Sequence, residues 1–245
     1  HALSVTALHD SLTATFCLLH LPAGGQIVCT STNQEELCLN GMSFSRRQSA
    51  FANAALVVPV QPADMLLLPD DDPDDPLLGV RWQQEMERRA ARMGGGRLVA
   101  PVQRAPDFLA GRLSSGEIRS SYRLGVRSAA CHELFPAFLT DTLRDALRSF
   151  ERQMPGFVCD EAVLHGVETR TSAPLRIVRD PHSLASASLG NLFPAGEGAG
   201  YAGGIVSAAV DGLKVAASIL RAEGQAVDWA GLLSEVDIPW TALDA

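Results

Sequence analysis

Residues 194–205 read PAGEGAGYAGGI, and the chemistry this segment can support is backbone chemistry. Gly196, Gly198, Gly200, Gly203 and Gly204 are five glycines within nine positions. Glycine loses more conformational freedom on folding than any other residue, so such density marks a place where backbone must approach something closely. A short apolar stretch, residues 191–195, precedes the segment and is expected as a strand. A helical pattern follows, carried by Ile205, Ala208, Ala209, Leu213, Ala216, Ala217 and Leu220. Strand, glycine loop and helix start, in that order, aim free N–H groups at an anion or an electron-rich oxygen. Gly198-x-Gly200-x-x-Gly203 also spells the dinucleotide fingerprint. That fingerprint needs a second strand ending in an acidic residue about 20 positions on. Glu223-Gly224-Gln225 and an amphipathic tail with Trp229 follow instead, so close helix–strand packing stands beside ligand approach as a reading of these glycines.

The other reactive residues form weaker constellations. Arg170, Thr171 and Ser172 stand at an expected strand end, where Arg170 and Ser172 can face an anionic substrate, or Arg170 can pair with Glu168 or Asp180. Tyr201 can stack on a ring system or plug the glycine loop. Arg46 and Arg47 are loop arginines, in reach of a substrate or simply solvated. Residues 70–76 hold five aspartates and two prolines, a mutually repelling loop without the central Gly and distal Glu of a calcium loop. The five cysteines, Cys17, Cys29, Cys38, Cys131 and Cys159, form no CxxC pair and have no His at zinc spacing. They read as buried reduced thiols of a cytoplasmic protein, and no metal site is expected. His132, His165 and His182 have no Ser or Asp at triad-like spacing, so no catalytic acid or base is assigned.

Charge narrows the partners. The 245 residues carry 20 Lys and Arg against 28 Asp and Glu, a net charge of −8. Phosphate-backbone binding and anionic membrane surfaces both need the opposite balance, so neither nucleic acid nor membrane is expected as a partner. The best apolar run, 203–220, is broken by Asp211 and Lys214. With 47% hydrophobic and 20% charged residues, the composition is that of a globular chain. The chain opens with His1 and has no basic-then-apolar leader, which reads as a fragment or processed piece.

The elements that must position these groups are of both kinds. Strands are expected over 3–19, 26–30, 54–60, 163–167 and 175–178, the first two as a hairpin around the Pro22-Ala23-Gly24-Gly25 turn. Residues 31–50 and 111–130 read as irregular. Leu78, Trp82, Met86, Ala90 and Met93 step by three or four, an amphipathic helix stopped at Gly94-Gly95-Gly96, with Arg81, Arg88, Arg89 and Arg92 on its outer surface. Asp107-Phe108-Leu109 is a helical turn, and residues 135–150 make a second amphipathic helix ending at Pro155-Gly156.

The blocks ETRTSAPLRIVRD (168–180) and LFPAGEGAGYAGGIVSAAVDGLKVAASI (192–219) resemble the C-terminal end of a family of uncharacterised bacterial FAD-dependent dehydrogenases, within the two-dinucleotide-binding flavoprotein group. TFC (15–17), GG (24–25), NGMSFSRR (40–47), ANAALVV (52–58), APVQRAPDFL (100–109), SYRLGVR (121–127) and GVETRTS (166–172) agree in order, so the resemblance spans roughly 13–222. After Cys17 the pattern departs: Leu19-His20-Leu21-Pro22-Ala23 replaces a second Cys and a direct Cys-Pro-Gly-Gly. The resemblance implies an α+β fold, a substrate-covering domain over about 1–160 followed by a return to the FAD-binding Rossmann-like domain over 161–245, as strand, glycine loop and helix. It implies FAD as cofactor, hydride transfer through the flavin, and an electron partner that can be NAD(P). On this basis Gly196, Glu197, Gly198, Gly200, Tyr201, Gly203, Gly204 and Ile205 are the cofactor-binding positions. Glu197 takes the place of an acidic residue near the ribitol or pyrophosphate, and Gly203, Gly204 and Ile205 set a helix start at the flavin N1–C2=O edge. No strand with GxGxxG and a distal acid occurs in the first 190 residues, so the chain reads as truncated and not certain to retain FAD alone. The alternative is a non-catalytic α/β interaction module, with self-association through apolar surface left uncovered.

Overall fold

The computed structural model describes residues 5–7, 12–20, 24–46, 49–66 and 71–225. Asp70, Arg47 and the tail with Trp229 lie outside the described residues, as does the side chain of Cys17. The chain divides into two compact units, His9–Thr171 and a smaller one made of His1–Leu8 with Ser172–Ala245. The elements are β1 (Val5–Ala7), β2 (Leu12–His20), β3 (Gly25–Cys29), β4 (Leu39–Ser43), β5 (Ala52–Val60), α1 (Leu78–Gly94), β6 (Ala100–Arg104), α2 (Ala105–Ala110), β7 (Val126–Ser128), α3 (Ala137–Gln153), β8 (Val163–Glu168), β9 (Leu175–Ile177) and α4 (Ile205–Ala222). The fold is α+β, with small sheets and four helices among the described residues.

In the larger unit five strands run in the order β5-β2-β8-β6-β7. The first four are mutually antiparallel and β7 joins β6 in parallel. The helix periodicity of α1 is realised, with Leu78, Trp82, Met86 and Ala90 buried at four-residue steps. Its stop is a left-handed Gly95, whose N–H bonds back to the last turn. Trp82 stacks parallel to Phe135 at 6.5 Å between ring centroids. One apolar cluster gathers these with Phe108, Leu134, Leu139, Leu143, Leu147 and Leu164. Each fully buried side chain of this size contributes roughly 1.5–3 kcal/mol through removal from water.

Four sequence expectations change here. β3 does not pair with β2 but with β4, in register Gly25↔Ser43 to Cys29↔Leu39. β4 arises in a stretch expected to be irregular, because its pairing partner rather than its own composition makes it a strand. Asn53 on β5 ties the pair down, its Nδ2 donating to the carbonyls of Gln26 and Met42. β6 and β7 are likewise additions, short strands whose pairing is set by the sheet. Residues 191–195 form no strand. Pro194 has no N–H to give a ladder, and its carbonyl instead accepts from Arg179.

In the smaller unit β1 and β9 form a two-stranded antiparallel pair, Val5↔Ile177 to Ala7↔Leu175. α4 follows the glycine segment, and its buried positions include Asp211, Val215, Ala217 and Ser218.

Candidate functional site

The glycine segment lies against β9. Ile177 N–H donates to the Ala199 carbonyl at 3.1 Å, and turns within the loop are closed by Gly200 N–H to Glu197 O and Tyr201 N–H to Gly196 O. The five glycines then separate into two groups. Gly196 and Gly200 have positive φ of 71° and 82°. A Cβ on Gly200 would meet the Leu175 carbonyl oxygen at 2.5 Å and Arg176 Cα at 2.9 Å, so this glycine answers a demand inside the unit. Gly198 and Gly203 have no such demand: a Cβ at either would meet nothing within 4 Å. Gly204 makes only ordinary contact, with Ser207 Oγ at 3.8 Å. The close-packing reading therefore accounts for Gly200, and leaves Gly198 and Gly203 without an internal reason.

Helix α4 starts at this open rim. Its first intrahelical bond is Ala208 N–H to Gly204 O, so the amides of Ile205, Val206 and Ser207 precede the hydrogen-bonded ladder. Ser207 Oγ accepts from Gly204 N–H at 3.1 Å and donates to Gly204 O at 2.9 Å. Ile205 is 93% exposed and Val206 70%, an unusual position for two β-branched apolar side chains. Glu197 is half-buried, with no side-chain hydrogen bond or ion pair among the described residues.

A polar clamp holds the loop to the helix. Arg179 donates from Nη1 and Nη2 to both oxygens of Asp211, at 3.0 and 2.6 Å, and from Nη1 to Pro194 O at 2.6 Å. Asp211 also accepts from Gly196 N–H at 2.8 Å. The two side chains are only 8% and 10% exposed. The hydrogen bonds from Arg179 hold the Asp211 carboxyl below the usual carboxylate range, against the opposing effect of burial. The Arg179 guanidinium lies 3.6 Å from the Tyr201 ring centroid, and Tyr201 Oη donates to Ile177 O. Tyr201 thus plugs the loop from within. Neither Arg179 nor Asp211 stood out in the sequence. The available signal was Asp211 itself, an acid on the buried stripe of an alanine-rich helix.

Arg170 belongs to the larger unit. Its Nε and Nη2 each reach a Glu87 carboxylate oxygen at 2.8 Å, and Nη1 donates to Thr32 Oγ1 at 2.7 Å. Its ion-pair partner is thus Glu87 on α1, where Glu168 or Asp180 was expected. Thr169 Oγ1 donates to the same carboxylate, and Gln83 Nε2 donates to Thr169 O. Ser172 stands in the bend before β9. The arginines of α1 pair with Asp75, Glu36 and Glu85. His165 is buried, with Nε2 at 2.8 Å from Ser120 Oγ and Nδ1 at 3.1 Å from Val163 O. That pairing, invisible in the spacing, puts a backbone carbonyl where a triad has its carboxylate. Burial pushes the Cys131 thiol up to about 12, so it is unreactive near neutral pH. Among the described residues no group of three His, Cys, Asp or Glu side chains is placed to hold a metal ion. None of their helices is long and apolar enough to cross a membrane.

Residues 2–171 match the sequence family described as FAD-dependent protein, C-terminal domain-like. A curated relative from Clostridium beijerinckii, itself named an uncharacterized protein, is 40% identical over 209 residues, covering 84% of this chain and 37% of the relative. The chain thus spans little more than a third of that relative's length. The family match ends at Thr171, before the glycine segment begins.

Proposed function

The chain belongs to the FAD-dependent protein, C-terminal domain-like family, and from that premise we propose that it is the C-terminal part of an FAD-dependent oxidoreductase whose glycine segment lies against the flavin. The observation that carries this reading is the pair Gly198 and Gly203, kept free of side chains where nothing in the unit requires it. A planar ring system brought against the rim would use that clearance, with Ile205 and Val206 offering an apolar border. The amides at the start of α4 favour negative charge on a ligand edge. Glu197, without a partner of its own, is available to accept from a ribitol hydroxyl. The cofactor, when bound, would supply hydride transfer. The residues present fit the flavin side of such a cofactor; the adenosine side needs a βαβ fingerprint that these 245 residues do not contain.

The reading extends to lower detail. Arg170 and Ser172, each within its own unit, are the positions put forward for recognition of an anionic substrate. The partner for electrons can be NAD(P), and the compartment is the cytoplasm, a setting in which the four free cysteines among the described residues stay reduced. Helix α4 gives the interaction-module reading its own support, since Ile205, Val206 and Leu213 are exposed on it.

The test is an absorbance scan after FAD is added and the protein desalted, on the 245-residue chain and on a version extended toward the length of its relative. Retained flavin bands, weakened by Glu197→Ala, are expected in the extended protein. A colourless extended protein would overturn the oxidoreductase reading and leave the interaction module.

A further inference from the structure

Arg176 is immobilised at the rim of the glycine loop without having its charge neutralised. Its Nε donates to the Gly200 carbonyl at 2.9 Å, and its guanidinium carbon lies 5.1 Å from the Tyr201 centroid. Its backbone sits mid-ladder in the β1–β9 pair, opposite Thr6. Yet among the described residues Nη1 and Nη2 have no hydrogen-bond or ion-pair partner, on a side chain that is half-buried. Arg179, three residues on, shows the contrasting case, with both Nη atoms engaged by Asp211. Asp211 is therefore taken, and the remaining carboxylate of the loop, Glu197, makes no ion pair with Arg176.

Ordering an arginine costs side-chain rotamer entropy. Here the Gly200 contact and the Tyr201 ring have already imposed that order. What remains is a planar pair of donors held at a fixed place on the loop, where Nε is anchored to the Gly200 carbonyl. A guanidinium so prepared matches two oxygens of one phosphate group, each taking a charge-assisted hydrogen bond.

We infer that Arg176 is a phosphate-recognition residue, taking an oxyanion of the phosphate or pyrophosphate of a nucleotide cofactor at the glycine loop. The identity of the ligand as a flavin nucleotide rests on the reading above; the anion preference rests on Arg176 alone.

The experiment titrates the full 245-residue chain with inorganic pyrophosphate by calorimetry at low ionic strength. FAD, FMN, ADP and riboflavin are then compared under the same conditions. Saturable pyrophosphate binding is expected, weaker by about tenfold or more in Arg176→Gln and partly restored in Arg176→Lys. FAD and FMN should bind more tightly than riboflavin, by a margin that Arg176→Gln removes. Amide exchange at Gly200 shows whether the substitution has loosened the loop, and the wild-type comparison of FMN with riboflavin needs no variant. Wild-type protein that does not bind pyrophosphate, or Arg176→Gln with undiminished affinity, overturns the inference. FAD and riboflavin binding equally overturn it too, while leaving the flavin reading standing. Pyrophosphate or ADP binding that depends on Arg176, with no flavin retained by the version extended toward the relative's length, supports the phosphate role and overturns the flavin reading alone.

Discussion

The two units hold together by different means. In His9–Thr171 a single apolar cluster does most of the work, and each buried acid has a basic partner in the same unit: Glu36 with Arg88, Glu87 with Arg170, Asp107 with Arg112. In the smaller unit the buried apolar side chains among the described residues are Ala199, Val215 and Ala217. Its cohesion comes instead from the Arg179–Asp211 clamp, the Tyr201 plug and backbone bonds from the loop to β9. A unit with a large core can tolerate loss of one polar contact; a unit with a small core depends on its polar contacts. The smaller unit is also where backbone and apolar side chains stand unanswered, at Gly198, Gly203, Ile205 and Val206. The larger unit also exposes apolar side chains, Phe44 and Leu113 among them, but its glycines with open space, Gly96, Gly116 and Gly156, are each required by a positive φ.

The contrast can be attacked first at its strongest point. Trp82→Ala should destabilise the larger unit by about 4 kcal/mol, measured by urea unfolding. Among the described residues Trp82 Nε1 has no hydrogen-bond partner, so the loss is one of packing. A change below about 1 kcal/mol would show that the cluster is not what holds this unit.

Asp211→Ala should cost about 3 kcal/mol, because it leaves Arg179 buried without its carboxylate and frees the Gly196 amide. Amide exchange should locate the effect at residues 196–201 and leave β2 and β8 protected. The same clamp has a pH signature. Since the folded Asp211 is more acidic than the unfolded one, its contribution is complete above the ordinary Asp range near pH ~4. It fades as pH falls through the lowered value, so loop protection relative to intrinsic exchange should drop in acid for the wild type but not for Asp211→Ala.

The glycines sharpen the comparison further. Gly200→Ala should destabilise the smaller unit by about 2 kcal/mol, from the left-handed backbone and the collision with the Leu175 carbonyl. Gly203→Ala should change stability by less than about 0.5 kcal/mol, both variants being read by thermal unfolding. Equal costs at the two positions would erase the distinction between structural and spare glycines.

Much of the architecture was legible in the sequence. The four-residue steps of Leu78, Trp82, Met86 and Ala90 report a helix face, because a 3.6-residue period is local. The glycine stop at Gly95 and the start of α4 at Ile205 are equally local signals. What escaped is what depends on partners distant in the chain. Leu39–Ser43 becomes a strand through pairing with β3, and the ion pairs Arg170–Glu87 and Arg179–Asp211 join positions 83 and 32 residues apart. At the candidate site the glycine density was readable, but not which glycines serve the fold. That division depends on where β9 passes, and so on tertiary structure.

The central claim is that Gly198 and Gly203 are kept bare for a flavin. The most direct measurement is the FAD dissociation constant, by fluorescence titration, of Gly203→Val against wild type, on the 245-residue chain and on the extended version. The account predicts an unchanged melting temperature and FAD binding weaker by about tenfold or more. Unchanged affinity in a variant that folds as the wild type does would contradict it.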